Sequence, residues 1–352
     1  MSYRLQRSEP VTRSVRRIGR EQLKDARAVL GQPGRSHRGR RAAREEAVHA
    51  TRTALKKVRA LIDLVQLPLG PDHAPLDRAL RRIGQLLAPM RDAGVVIDTV
   101  DQLLTRFDSD GSGQQPVGVV PALQRLRERL VDRLARADRK LQRHHRFRIA
   151  RRALGKVRRR ARAWDRRLTE RTRGTGPLSR RAVDDWTLIA GGVSAGYQRA
   201  RDCGQTAVGA PSDDAFHAWR KAVKAHAHHV RLLLDCEPVT LVSRLGALDL
   251  LGELLGEDHD LSVFVALLHK HRGWVHSGTM RHKLVNLARD RQDELRARAL
   301  SVAADLFDET PAAFARQLSH SWRIWRGLLT PSFGRPLALV PATAAAAAPG
   351  RF

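Results

Sequence analysis

Cysteine is nearly absent from this sequence: Cys203 and Cys236 are the only two among 352 residues. Two isolated thiols exclude a disulfide framework and a thiolate zinc site, so a reducing compartment is expected. Long apolar runs are missing as well. The most apolar stretch, Leu245 to Leu255, is interrupted by Gly, Asp and Glu and is too polar to span a bilayer. The opening segment MSYRLQRSEPVTRSVRR has neither an apolar core nor a secretory cleavage pattern, and the expected location is the cytoplasm. Alternating β-branched and aromatic residues with hairpin turns are scarce, which excludes a sheet-based fold. The phosphate-cradling, dinucleotide-binding and metalloprotease signatures are absent, as is an acidic cluster for magnesium-dependent phosphotransfer, so no enzyme is expected and no cofactor or metal is assigned.

Carboxylates are the scarcest feature relative to their counterparts. Lys and Arg number 65 against 36 Asp and Glu, a formal charge of +29. Such an excess repels itself and favours a polyanionic partner: nucleic acid, an anionic membrane surface or a phosphate polymer, among which charge alone does not choose. With 42% hydrophobic residues the chain also has the means to bury a core.

Apolar residues recur at three- and four-residue spacing, which predicts an all-α protein. Helices are expected over about 13–30, 43–67, 75–107, 118–142, 146–172, 179–202, 212–236, 240–271, 281–306 and 310–328, with Pro89 kinking the third. Breaks fall at GQPGRSHRG, SDGSGQQPVG, RGTGP and GAPSDD, the last ending in an Asp pair suited to capping a helix. The expected division is an N-terminal half at 10–202, a C-terminal half at 203–330, and a low-complexity tail at 331–352, mobile or lying as a peripheral strap.

The strongest internal signal is a repeat. VHATRTALKKVRALIDLV, from Val48, aligns with FHAWRKAVKAHAHHVRLL, from Phe216, so that His49, Arg52 and Lys56 fall on His217, Arg220 and Lys224 at an offset of 168. Without a gap, the same offset places Met90-Arg91-Asp92 on Asp258-His259-Asp260 and Leu86-Leu87 on Leu254-Leu255. Two bundles related by a pseudo-two-fold axis are expected.

On a helix turning 100° per residue, His49, Arg52, Lys56 and Arg59 occupy an arc of roughly 80°. His217, Arg220, Lys221, Lys224, His228 and Arg231 occupy about 100°, opposite an apolar sector of Phe216, Trp219, Val223, Val230, Leu233 and Leu234. Each polar face reads as nearly pure cation. A solvated basic face is the bland alternative, but two such stripes at one offset favour a ligand face. A phosphate chain would relieve the mutual repulsion, with Lys as point charge, Arg as two-pronged donor and His gaining charge on binding. Polyphosphate presents no bases to stack, which suits stripes without aromatic platforms. Arg91 and His259 either end the stripes or form local pairs with Asp92 and Asp260 at helix starts. His226, His228 and His229 diverge around their helix and form no ligand pair, leaving only a metal site shared with Asp258, His259 or Asp260 as an alternative.

With these residues in view, the sequence resembles the CHAD family, helical domains named for their histidines. The resemblance rests on VHATRTALKKVRALIDL around His49, GYQRAR around Tyr197, FHAWRKAVK and HVRLL around His217, and LGEDHDLSVF around His259, and spans about 10–330. It implies a tandem pair of antiparallel four-helix bundles and binding of inorganic polyphosphate, with a possible place at polyphosphate granules. The implied ligands are His49, Arg52, Lys56 and Arg59, then His217, Arg220, Lys221, Lys224 and Arg231, with Tyr197 and Arg201 bordering the site. Two departures stand out: Thr53 replaces the equivalent of Lys221, and AHAHH replaces a bulky aromatic pair after Lys224. The triphosphate-hydrolysing barrel joined to many relatives has no counterpart here. A nucleic-acid-binding, nucleoid-associated protein is the alternative function, and a metal-dependent phosphohydrolase the third.

Overall fold

The computed structural model describes residues 3–31, 40–109, 118–173, 184–275 and 277–330. The chain is all-helical, and no strand occurs among the described residues. The 331–352 tail lies outside them, as do most residues of the three Gly-rich breaks after Leu30, Asp108 and Arg173.

The helices are α1 (Val11–Val29), α2 (Arg40–Leu64), a short α3 (Gln66–Leu69), α4 (His73–Ser109), α5 (Val119–Arg143), α6 (Arg146–Arg173), α7 (Ala190–Gly209), α8 (Asp213–Leu233), α9 (Pro238–Lys270), α10 (Gly278–Leu306) and α11 (Pro311–Trp325). Local chemistry explains several boundaries. Ser212 Oγ accepts from Ala215 N and caps α8, while Asp213 and Asp214 sit inside its first turn, so the Asp pair is not the cap itself. Ser277 and Thr310 cap α10 and α11 in the same way. His145, at φ 48°, turns the chain between α5 and α6. Pro89 lies inside α4, which continues through it. The helix expected from 179 starts only at Ala190: Asp185–Leu188 form a 3-10 turn whose Trp186 and Leu188 are buried, and residues 179–183 lie outside the described part.

The apolar sector read on the second copy, and its counterpart on the first, face the core. Val48, Leu55, Val58, Ile62 and Val65 of α2 or its end, and Phe216, Trp219, Val223, Val230, Leu233 and Leu234 of α8 or its end, are all buried. In the first half α1 packs on α2 and α6, α2 on α4, and α4 on α5 and α6. In the second half α7 packs on α8 and α11, α8 on α9, and α9 on α10. The halves meet where α2 touches α7 and α8 and where α4 touches α9. That seam is tight: a side chain at Gly192 would run into the Leu64 backbone, and His229 Nε2 donates to the Ala60 carbonyl at 2.9 Å. Residue 203 lies inside α7 and is not a break in the chain's structure.

Candidate functional site

Because α2 and α8 bury their apolar sectors in the core and meet along the seam, their polar stripes border a common groove. One cavity of about 440 Å³ is lined by Lys56 and Arg59 from α2, by Arg220, Lys221, Lys224 and His228 from α8, and by Arg199 and Cys203 from α7. A second, of about 300 Å³, shares Lys56, Arg59 and Arg81 with it and continues between α2 and α4, past Arg52 and Gly84.

The cations in and beside this groove divide into two groups. Arg59 is committed to Asp77 at 2.6 Å, Arg231 to Asp249 at 2.6 Å, and Arg91 stands 3.6 Å from Asp98. Arg52, Lys56, Arg220, Lys221 and Lys224 have no salt bridge among the described residues. Arg52 instead donates to the Gly84 carbonyl at 3.1 Å. The unpaired cations act on one another. Removal from bulk water, then Arg220, Lys224, Arg52 and Arg91, lower the Lys56 ammonium to about 8 although its side chain still reaches solvent. Lys224 is lowered by burial and next by Arg220, against the pull of Asp260 and more distant acids.

The long cationic side chains need room to lie across the partner helix, and small residues provide it. An added Cβ at Gly252 would lie 3.4 Å from Lys224 Cε, and one at Gly256 would lie 3.6 Å from Arg220 Nε. Gly84 occupies the place of Gly252 in the first half and accepts the Arg52 hydrogen bond. The stripes are less purely cationic than helical spacing implied. Asp92 faces Arg52 and Arg91, and its counterpart Asp260 faces Arg220, Arg91 and Lys224. Burial raises both carboxyls, and the cations offset only part of that rise. Arg91-Asp92 and His259-Asp260 lie in the middle of α4 and α9, so they are not helix-start caps.

The histidines separate. His217 and His259 stack with ring centroids 3.8 Å apart. Burial, then Lys221 and Arg220, lower His217; burial, then His217, Arg220 and Lys221, lower His259 to about 4. This pair is therefore neutral at pH 7. His228 lines the groove beside Tyr3 and is lowered to about 3, chiefly by burial and then by Arg231. His49 is exposed and borders a different cavity, of about 260 Å³, with Glu45, Glu46, Arg91 and Asp98. His226 is buried and enclosed by Tyr197, Phe307 and Phe314.

Tyr197 does not border the groove. Its ring is fully buried, stacks 4.7 Å from Phe314, and its hydroxyl donates to the Glu309 carbonyl at 3.0 Å. Arg201 does not line the groove either; two residues reverse the direction on a helix, and Arg199 takes that place. Asp258 turns from the groove into a buried network with Arg296 at 2.7 Å and Gln292 at 3.1 Å. It cannot join His259 and Asp260 on a shared metal, and no group of three His, Cys, Asp or Glu suited to a metal occurs among the described residues. Arg199 and the two small-residue stripes are the parts missed from sequence, together with the reach of Asp92 to Arg52 and of Asp260 to Arg220 and Lys224. GxxxA at Gly84 and GxxxG at Gly252, at the same 168-residue offset, were the available signal.

No curated protein gives a significant match to the chain. The family model for the CHAD domain matches residues 21–269. That span covers most of the chain, takes in both basic helices together with the glycine-bearing helices they pack on, and establishes that the chain belongs to the CHAD domain family.

Proposed function

We propose that the protein binds inorganic polyphosphate in the groove between α2 and α8 and does not catalyse its turnover. The observation that carries this reading is the set of four cations, Arg52, Lys56, Arg220 and Lys224, that come from two helices to one groove without carboxylate hydrogen bonds. Four like charges in a partly dry groove repel, and a chain with one charge per phosphate removes that cost while accepting charge-assisted hydrogen bonds. The walls favour a thin ligand. A duplex roughly 20 Å wide cannot enter, whereas a flexible phosphate polymer can.

The same reading takes the two halves as a duplicated unit. α1, α2, α4, α5 and α6 correspond to α7, α8, α9, α10 and α11, which makes each unit one helix larger than a four-helix bundle and puts the division between α6 and α7. Binding without chemistry suits a storage or granule-scaffolding role in a reducing compartment. No helix among the described residues is long and apolar enough to cross a membrane, which is compatible with that setting.

The test is titration of labelled polyphosphate at about 150 mM salt, where the screening length is about 8 Å. The Arg52, Lys56, Arg220 and Lys224 alanine variant is expected to lose most of the affinity, and duplex DNA at equal phosphate concentration is expected not to displace the label. Unchanged affinity in the variant, or displacement by DNA as effective as by polyphosphate, overturns the groove assignment.

A further inference from the structure

The densest positive charge in the molecule lies outside the groove. Helix α6 carries thirteen Lys and Arg against two carboxylates, Asp165 and Glu170. Its buried side is set by Ala150, Leu154, Val157, Ala161 and Trp164. Opposite them Arg148, Arg151, Arg152, Lys156, Arg159 and Arg160 are all exposed, spread over roughly half of the helix circumference and about 18 Å of its length. None of the six has a salt bridge or side-chain hydrogen bond among the described residues. A helix that needed only solubility would interleave acids at i±4 to pair these cations, and this face has none.

The neighbouring helix extends the same surface. α1 packs along α6, and its Arg20, Lys24 and Arg27 are exposed. At Gly155 the two rows meet: an added Cβ there would lie 3.8 Å from both Arg27 Nε and Arg159 Nη1. The axes of packed helices stand roughly 8–10 Å apart, the same scale as the roughly 12 Å width of a duplex major groove flanked by phosphates.

We propose that the outer face of α6, with the adjoining edge of α1, is a second polyanion-binding surface that takes double-stranded nucleic acid through its phosphates. The face is open and convex, so a rigid duplex too broad for the groove can lie along it. A flexible phosphate chain would have to be straightened on a surface that offers no walls, at an entropic cost that the duplex does not bear. The exposed side chains are Arg and Lys, without Asn, Gln or aromatic residues among these positions, so the contacts position the duplex without reading its sequence. Membrane insertion does not fit, because the apolar side of α6 is spent in the core and Ile149 is the one large apolar residue exposed on its described length. The proposal stands independently of polyphosphate binding in the groove.

The test is fluorescence anisotropy with a labelled duplex of about 20 base pairs and, separately, labelled polyphosphate. Arg152→Glu with Arg159→Glu is expected to weaken duplex binding at least tenfold while polyphosphate affinity stays within twofold. Lys56→Glu with Lys224→Glu should do the reverse. Arg152→Gln with Arg159→Gln, which adds no acid, guards against a folding artefact and should still weaken the duplex severalfold. Duplex affinity unchanged in both α6 variants overturns the proposal, as does its loss in the groove variant. Binding of the unmodified protein to anionic phospholipid vesicles more tightly than to duplex, lost in the α6 variants, would reassign the face to a membrane surface.

Discussion

The two repeats carry the same acid-to-histidine spacing, Glu45-Glu46 before His49 and Asp213-Asp214 before His217, and differ in what those acids meet. At the α8 end His217 stacks on His259 among Lys221 and Arg220, with both imidazoles held neutral, while Asp213 is taken up by Arg289 and Arg296 of α10 and Asp214 stays exposed. At the α2 end the equivalent His49 borders Glu45, Glu46 and Asp98, with Arg91 in place of the second imidazole. A polyanion leaving the central cations therefore meets neutral, protonatable rings and one exposed carboxylate, Asp214, in one direction, and Glu45, Glu46 and Asp98 in the other. A repeated motif preserves a position without preserving its electrostatics, because the charges that decide the matter come from other helices.

The sharpest way to break this comparison is to reverse charge at the centre. Arg220→Glu or Lys224→Glu is expected to weaken polyphosphate binding roughly tenfold to a hundredfold, since each lost charge-assisted contact is worth about 1.5–3 kcal/mol and 1.4 kcal/mol is tenfold. Glu45→Lys with Glu46→Lys at the α2 end should instead strengthen binding severalfold by removing the repulsive terminus. Titrations of labelled polyphosphate measure both, and equal losses at the centre and at a remote exposed arginine such as Arg298 would mean diffuse attraction.

A smaller effect separates the histidines. His217 and His259 have lowered pKa values in the free protein and are neutral at pH 7. Protonation adds positive charge, so affinity should rise as the pH falls from 7 toward the value of about 4 at His259, and a bound anion shifts the rise to higher pH. The His217→Ala, His259→Ala variant should lose a few-fold of this rise between pH 7 and 5, while His49→Ala keeps it. If the three histidine substitutions act alike, the two ends are electrostatically equivalent.

The smallest expected signal is a fraction of a proton. Lys56 is lowered to about 8 by its surroundings, so near pH 8 part of the free protein carries a neutral amine there. Phosphate raises that value, and binding should take up protons between about pH 7.5 and 9, visible as a dependence of calorimetric heat on buffer ionisation. Lys56→Arg, charged throughout that range, should abolish much of the uptake while retaining affinity.

Helical spacing made the cation stripes legible because it concerns one element at a time. The apolar sector of α8 is buried in the positions that spacing assigned. What it could not supply is pairing between helices: Asp77 takes up Arg59, Asp249 takes up Arg231, and Asp260 of α9 acts on Arg220 and Lys224. Tyr197 sits in a helix beside the groove, but Phe314 of α11, more than a hundred residues later, draws its ring into the core. The choice of Arg199 over Arg201 turns on the rotation of α7 about its axis, which only its packing determines. Glu45, one turn before His49, was visible in sequence and should have marked the α2 end as mixed in charge.

The most direct test of the central claim is the salt dependence of polyphosphate affinity in the unmodified protein and in a variant with Arg52, Lys56, Arg220 and Lys224 changed to Gln. For a flexible single chain, each phosphate neutralised by the protein contributes roughly −0.7 to the slope of log affinity against log salt. If the four cations hold the chain, the slope should flatten by about 2 to 3 in the variant, with affinity falling at every salt concentration. A slope unchanged by removal of all four charges would place the bound phosphates elsewhere on the molecule.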